Sequence, residues 1–247
     1  MLILALETST ELGSCALWRD GVVTERFCPE KQPHSETLLP LVRELLAESG
    51  VQIADLDAIA FGVGPGAFTG LRVACGAAQG LAVAADLPLI PVTSLETMAA
   101  QSAAERVLAL LDARMGEVYS GFYERTGDGY VLRGDIRVSA PADVILPSDA
   151  DWVACGNGLS AYPLLQEHLQ AAGRTGDAAV QPKAAVVAAL AARATGVGRL
   201  KLPGVRLGPR SRNRLVSAAP RPKPSEVLAV TQLAARGVCS PPISSPI

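Results

Sequence analysis

Phe61-Gly62-Val63-Gly64-Pro65-Gly66-Ala67-Phe68-Thr69-Gly70-Leu71-Arg72 is the stretch on which the fold turns. An apolar run at 56–61 precedes the glycines, a helical pattern over about 69–85 follows them, and 89–92 is apolar again. A buried strand therefore feeds a tight loop that opens a helix, which starts a strand–helix alternation. A loop of this kind suits a phosphate, because helix N-terminal amides point into it. It is not a Walker loop, since no Lys follows the glycines, and it does not match G-x-G-x-x-G. The other reading is mechanical: the glycines let the loop pass tightly over the sheet.

Towards the N-terminus, residues 2–6 and 14–19 read as strands around a polar turn, Glu7 to Gly13. Asp20-Gly21 is a hairpin signal, so 22–28 is a third strand and the chain opens as an antiparallel meander. The next helix follows Pro33, with Ser35 as its cap, Glu36 in its first turn, a kink at Pro40 and Gly50 past its end. Leu38, Leu41, Val42, Leu45 and Leu46 give it a broad apolar stripe. Towards the C-terminus, 94–104 is helical. Residues 107–111, 117–124 and 130–138 form a second meander, 152–155 a strand, and 159–172 and 184–194 helices. A meander followed by strand–helix alternation predicts a mixed sheet covered by helices. The restart near Ala104 predicts a second, incomplete copy of the plan.

The chain has 247 residues, 49% hydrophobic and 19% charged, enough for one large or two small folded domains. A net charge of −2 and an aromatic content of 4% exclude a strongly basic nucleic-acid binder with an aromatic stacking surface. Five widely spaced cysteines without C-x-x-C predict free thiols in a reducing compartment. The N-terminus reads as a strand and not a signal peptide, and the apolar run 184–192 is short of the ~18 residues of a membrane span. A soluble, cytoplasmic protein is expected. Charge is uneven: residues 1–177 hold 11 Lys+Arg against 23 Asp+Glu, a net of −12, and residues 178–247 hold 11 against one, a net of +10. The segment 200–247, rich in Arg and Pro, is expected to be poorly ordered, as a solvated tail or as a basic arm for RNA.

Other candidate features carry two readings each. Glu7-Thr8-Ser9-Thr10 places hydroxyls at a strand end, for a phosphate or a metal's waters, or for a turn bonded to itself. Asp112 and Arg114 suit a substrate clamp or a local ion-paired turn. His34 and His168 have no metal-ligand spacing and no nearby Cys partner, so no zinc or iron site is expected. There is also no G-x-S-x-G.

Taken together, Leu4-Ala5-Leu6-Glu7-Thr8-Ser9, the 61–72 block, Ala78-Gln79-Gly80-Leu81-Ala82 and Leu111-Asp112-Ala113-Arg114-Met115-Gly116-Glu117-Val118-Tyr119 resemble the TsaB (YeaZ) family, over about residues 1–190. The resemblance implies an α/β fold of the actin/sugar-kinase/Hsp70 (ribonuclease H-like) type with two related lobes, the second reduced. On that basis residues 1–104 form the first lobe, 105–199 the second and 200–247 the tail. It also implies a non-catalytic scaffold or dimerisation subunit. Such a subunit binds and activates TsaD, which with the ATPase TsaE transfers a threonylcarbamoyl group to the adenosine next to the anticodon of tRNAs. The implied partners are a TsaD-type catalytic subunit, a TsaE-type ATPase, tRNA through the complex, and a second copy of the chain when alone.

The enzyme paralogue carries two metal-binding histidines four residues apart where this chain has Ser94 and Met98, a pair unsuited to a divalent metal. No catalytic or metal residue and no tightly bound cofactor is expected, with nucleotide only at a partner interface. Many members of the family carry Ser where Ala67 stands, and its usual terminal Pro-x-Tyr-Leu-Arg segment is not matched by Pro209 to Arg214. The two early helices are the expected partner surface, through Leu38, Leu41, Val42, Leu45, Gly76 and Gly80. The competing functions are a sugar-kinase-like phosphotransferase or peptidase, and a tRNA-binding accessory module acting through the basic tail.

Overall fold

The computed structural model describes residues 1–127, 129–148 and 151–196. The expectations for the segment 200–247 lie outside the described residues. The first sheet holds β1 (Leu2–Glu7), β2 (Ser14–Arg19), β3 (Val22–Phe27), β4 (Ala58–Gly62) and β5 (Leu89–Val92), in the order β3-β2-β1-β4-β5. β1–β2 and β2–β3 pair antiparallel, and β1–β4 and β4–β5 pair parallel. Asp20-Gly21, with φ of 48° and 96°, makes the two-residue hairpin. Side chains alternate across a strand, so β1 serves two cores. Leu4 and Leu6, level with Leu17, Cys15, Ile59 and Phe61, face helices α1 (His34–Glu48) and α2 (Phe68–Ala85). Ile3 and Ala5, with Ala16, Ala58 and Ala60, face the opposite way. Burial on both faces is why residues 2–6 read as a continuous apolar run.

After α3 (Ser94–Ala99) the second sheet holds β6 (Arg106–Arg114), β7 (Glu117–Thr126), β8 (Gly129–Leu132), β9 (Arg137–Ser139), β10 (Val153–Cys155) and β11 (Gly176–Asp177). Its order is β11-β10-β6-β7-β8, with β9 also on β7. Numbered within each half and with β9 set aside, both sheets run 3-2-1-4-5, with the first pairings antiparallel and the last parallel. The second copy is reduced: β10 has three residues and β11 two. This duplicated plan is the actin/sugar-kinase-type arrangement. Where α1 covers the first sheet, the second has β9 and a single 3-10 turn, Pro141–Asp143. Helices α4 (Gly158–Ala161) and α5 (Pro163–Ala171) replace the single helix expected over 159–172. Pro163 starts the second of them, where its missing amide costs no hydrogen bond.

The covering helices are exchanged between the sheets. α3, adjoining β5 in sequence, buries Leu95, Met98 and Ala99 against Val107, Ala109, Leu111 and Tyr123 of the second sheet. α6 (Ala184–Gly196) returns to the first sheet and packs Ala184, Val187, Ala188 and Ala191 on its Ile3/Ala5 face. Two of its first amides are satisfied by strand side chains: Ala184 N–H donates to Ser14 Oγ at 2.9 Å and Ala185 N–H to Glu25 Oε1 at 3.0 Å.

Two local expectations are corrected. α1 starts one residue before Ser35, at His34, and has no side-chain cap. The helix expected over 94–104 ends at Ala99. By length and composition alone α2, and not α6, is long and apolar enough to cross a membrane. Its Gly70, Ala74, Ala78 and Ala82 stripe is buried on the first sheet.

Candidate functional site

The β1 turn, the glycine-rich loop and the β6–β7 turn meet at a cleft of about 510 Å³ between the two sheets. Glu7, at the end of β1, is fully buried. Its Oε1 accepts from the Ser9 amide at 2.6 Å and its Oε2 from the Ser94 hydroxyl at 3.3 Å. Burial pushes the carboxyl above its ordinary pKa, and these hydrogen bonds only partly offset that. A Cβ at Gly62 would overlap this carboxylate.

The glycines of the 62–70 loop are used mechanically. A Cβ at Gly66 would lie 2.5 Å from the Ser9 carbonyl oxygen, and one at Gly70 would fall on the Thr8 carbonyl. Thr8 Oγ1 donates to the Gly70 carbonyl at 2.7 Å, and the Ala67 amide donates to the Ser9 carbonyl at 2.7 Å. The loop thus clasps the β1 turn, which is the second of its two readings. Of the other hydroxyls in the segment, Thr10 Oγ1 accepts from Leu12 N–H at 3.2 Å, whereas the buried Ser9 Oγ has no hydrogen-bond partner within the protein.

Asp112 and Arg114 form the ion-paired turn, with Arg114 Nη1 3.5 Å from Asp112 Oδ2, and the arginine also reaches the other lobe. Its Nη2 lies 2.8 Å from Glu11 Oε1, across the cleft. Asp112 Oδ1 accepts from Arg114 N–H at 2.9 Å and from Tyr162 Oη at 2.8 Å, and the Asp112 amide donates to Asn157 Oδ1 at 3.0 Å. Burial, then the Asp112 contact, raises the Tyr162 pKa. These contacts fix the Asp112 carboxylate as the anchor of the turn.

Ser94 and Met98 are both fully buried, Ser94 against Glu7 and Met98 in the core under the second sheet. Among the described residues no three His, Cys, Asp or Glu side chains converge as a metal set.

The expected interface residues divide. Leu38, Val42 and Leu45 are 0%, 2% and 0% exposed, so they belong to the core of the first lobe and are not offered to a partner. Leu41 is partly buried against the same core. Gly76 and Gly80 lie on the exposed face of α2, where an added Cβ would meet nothing within 4 Å. That face also carries Val83, 69% exposed.

One pairing was missed. The His34 ring lies against Cys28: a Cβ at Gly13 would approach His34 Nδ1 at 2.6 Å and Cys28 Sγ at 3.0 Å together. His34 Nε2 is 2.9 Å from the Thr10 carbonyl. The adjacent Cys28 thiol, reinforced by the Thr10 carbonyl, raises the imidazole pKa against the lowering effect of burial, although the buried Nδ1 makes no hydrogen bond within geometric limits. The only sequence signal is the six-residue spacing, which carries no meaning until the turn after β3 is placed.

The family model described as "TsaD: tRNA N6-adenosine threonylcarbamoyltransferase" matches residues 27–196. The tRNA threonylcarbamoyladenosine biosynthesis protein TsaB of Escherichia coli (strain K12) is 42% identical over 173 residues, covering 66% of this chain and 74% of that protein. The chain belongs to the TsaB (YeaZ) family. The namesake TsaB of Haemophilus influenzae is 49% identical over 124 residues, 48% of this chain and 52% of that one. The solved structure of YeaZ from Pseudomonas aeruginosa superposes with a TM-score of 0.71 at 40% identity, covering 79% of this chain and 92% of that chain. The two-lobed fold described above is therefore the family's own.

Proposed function

We propose that the chain is a non-catalytic subunit of a tRNA threonylcarbamoylation system, which binds and activates a TsaD-type catalytic subunit. In this reading the reaction is threonylcarbamoyl transfer to the adenosine next to the anticodon, a TsaE-type ATPase completes the assembly, and tRNA is engaged through the complex. The observation that carries it is the family membership at 42% identity to a protein named for tRNA threonylcarbamoyladenosine biosynthesis.

Two features of the site support a scaffold role. Ser94 and Met98, the positions aligned with the paralogue's metal-binding histidines, are used up in internal packing. Asp112, one of the acids lining the cleft, is engaged by Arg114 and Tyr162. The partner surface in this reading is the outer face of α2, where Gly76 and Gly80 let another helix approach closely. The same face serves a homodimer when the catalytic subunit is absent. No tightly bound cofactor belongs to this chain, and nucleotide enters only at the interface with the partner.

Co-purification with the TsaD of the same organism tests the partner, and the modified nucleoside in tRNA after depletion tests the pathway. Retention of normal modification after depletion would overturn the reading. Micromolar ATP binding with turnover by the isolated chain would favour the phosphotransferase instead.

A further inference from the structure

We propose that the β6–β7 turn is a protein-docking element that presents Met115 to an apolar pocket on the TsaD-type subunit, a proposal that rests on the partner reading above. Arg114 pairs with Glu117, which leaves Met115-Gly116 as a two-residue hairpin loop. Their φ angles are 54° and 83°. Two successive positive φ values are the type I′ pattern, whose first position favours Asn, Asp or Gly. The β2–β3 hairpin follows that rule with Asp20-Gly21, at φ of 48° and 96°. Met115 breaks it, and Arg114 just before it is also left-handed, at φ 65°. A long apolar side chain is disfavoured in this region, and Met115 gains no packing in exchange, being 98% exposed. A local rule broken without internal compensation marks a position held for function.

The opposite rim of the cleft carries a matching feature. Ala67 and Arg114 both line the cleft. The residue after Ala67 is Phe68, 67% exposed, with the Arg72 guanidinium 3.8 Å from its ring centroid. Two large exposed apolar residues, Met115 and Phe68, therefore each follow directly on a residue that lines the cleft. Aromatic, Met and Arg side chains are the types that protein interfaces concentrate. Phe68 also begins α2, so the rim is continuous with the face that carries Gly76 and Gly80. That continuity selects the subunit seated on α2 as the one that reaches Met115.

The test is the Kd for the organism's TsaD-type subunit, measured with wild type, Met115→Asn and Met115→Leu, alongside thermal melts. Asn suits the turn, so Met115→Asn is expected to raise Tm by ~2–4 °C while weakening binding at least about fivefold. Met115→Leu keeps the apolar volume and is expected to bind within about twofold of wild type. Unchanged Kd in Met115→Asn, with wild type binding normally, overturns this proposal alone. Failure of wild type to bind the subunit overturns the partner reading and this proposal with it.

Discussion

Thr8 and Gly70 are locked together: the Thr8 hydroxyl donates to the Gly70 carbonyl at 2.7 Å, and the Thr8 carbonyl occupies the space a Cβ on residue 70 would need. The glycine-rich block therefore fixes the β1 turn onto the start of α2. Gly70→Ala is expected to cost about 3 kcal/mol or more, because the obstacle is backbone and has no alternative rotamer. That corresponds to a fall in Tm of roughly 6 °C or more. Gly76→Ala, on the open face of the same helix, is expected to stabilise the isolated chain by about 0.5–1 kcal/mol. Thermal melts of the two variants check the contrast.

Leu45 and Leu39 separate core from surface on α1. Leu45 is fully buried and Leu39 is 49% exposed. Leu45→Ala is expected to lose about 2–5 kcal/mol, and Leu39→Ala to stay within about 0.5 kcal/mol. Denaturant unfolding with unchanged m-values would establish both numbers.

Much of the fold was legible because β1 lies between two helical layers. Double burial makes residues 2–6 uniformly apolar, and Asp20-Gly21 fixes the hairpin. The exchange of α3 and α6 between sheets was not legible, because their periodicity specifies an apolar face but not which sheet it covers. The α1 stripe was misassigned for a related reason. Five apolar residues are more than a sheet alone requires, but α1 also packs beside α2, which widens its buried side. The site segments at 7–10, 62–70 and 112–116 were each recognisable, whereas their convergence on one cleft depends on how the lobes pack. The Cys28–His34 contact depends on the space left at Gly13.

Glu7 makes stability depend on pH. Its folded pKa is raised by burial, so the native state holds a proton that the unfolded chain releases above its ordinary value of 4.5. Stability is then highest below the unfolded pKa and falls as pH rises through the folded one. Glu7→Gln removes the titration. Its Tm is expected to depend less on pH than that of wild type between about pH 4 and 8, as melts across that range would reveal.

Arg114 and Glu11 form an exposed ion pair between the lobes, at 57% and 86% side-chain exposure. A pair so open to solvent is expected to couple by under ~1 kcal/mol and to weaken with salt. A double-mutant cycle on Glu11→Gln and Arg114→Gln in low and high salt measures it. A coupling that survives high salt would mean that the cleft shields the pair more than its exposure indicates.

The scaffold role is tested most directly by reconstituted threonylcarbamoyl transfer to tRNA, with the TsaD-type and TsaE-type subunits assayed with and without this chain. The expected result is that transfer depends on this chain, is lost with Gly80→Leu, whose exposed position on α2 leaves the fold intact, and is unaffected by Glu11→Gln at the cleft. Full transfer in the absence of the chain, or transfer abolished by the cleft substitution while binding to the TsaD-type subunit is retained, would contradict it.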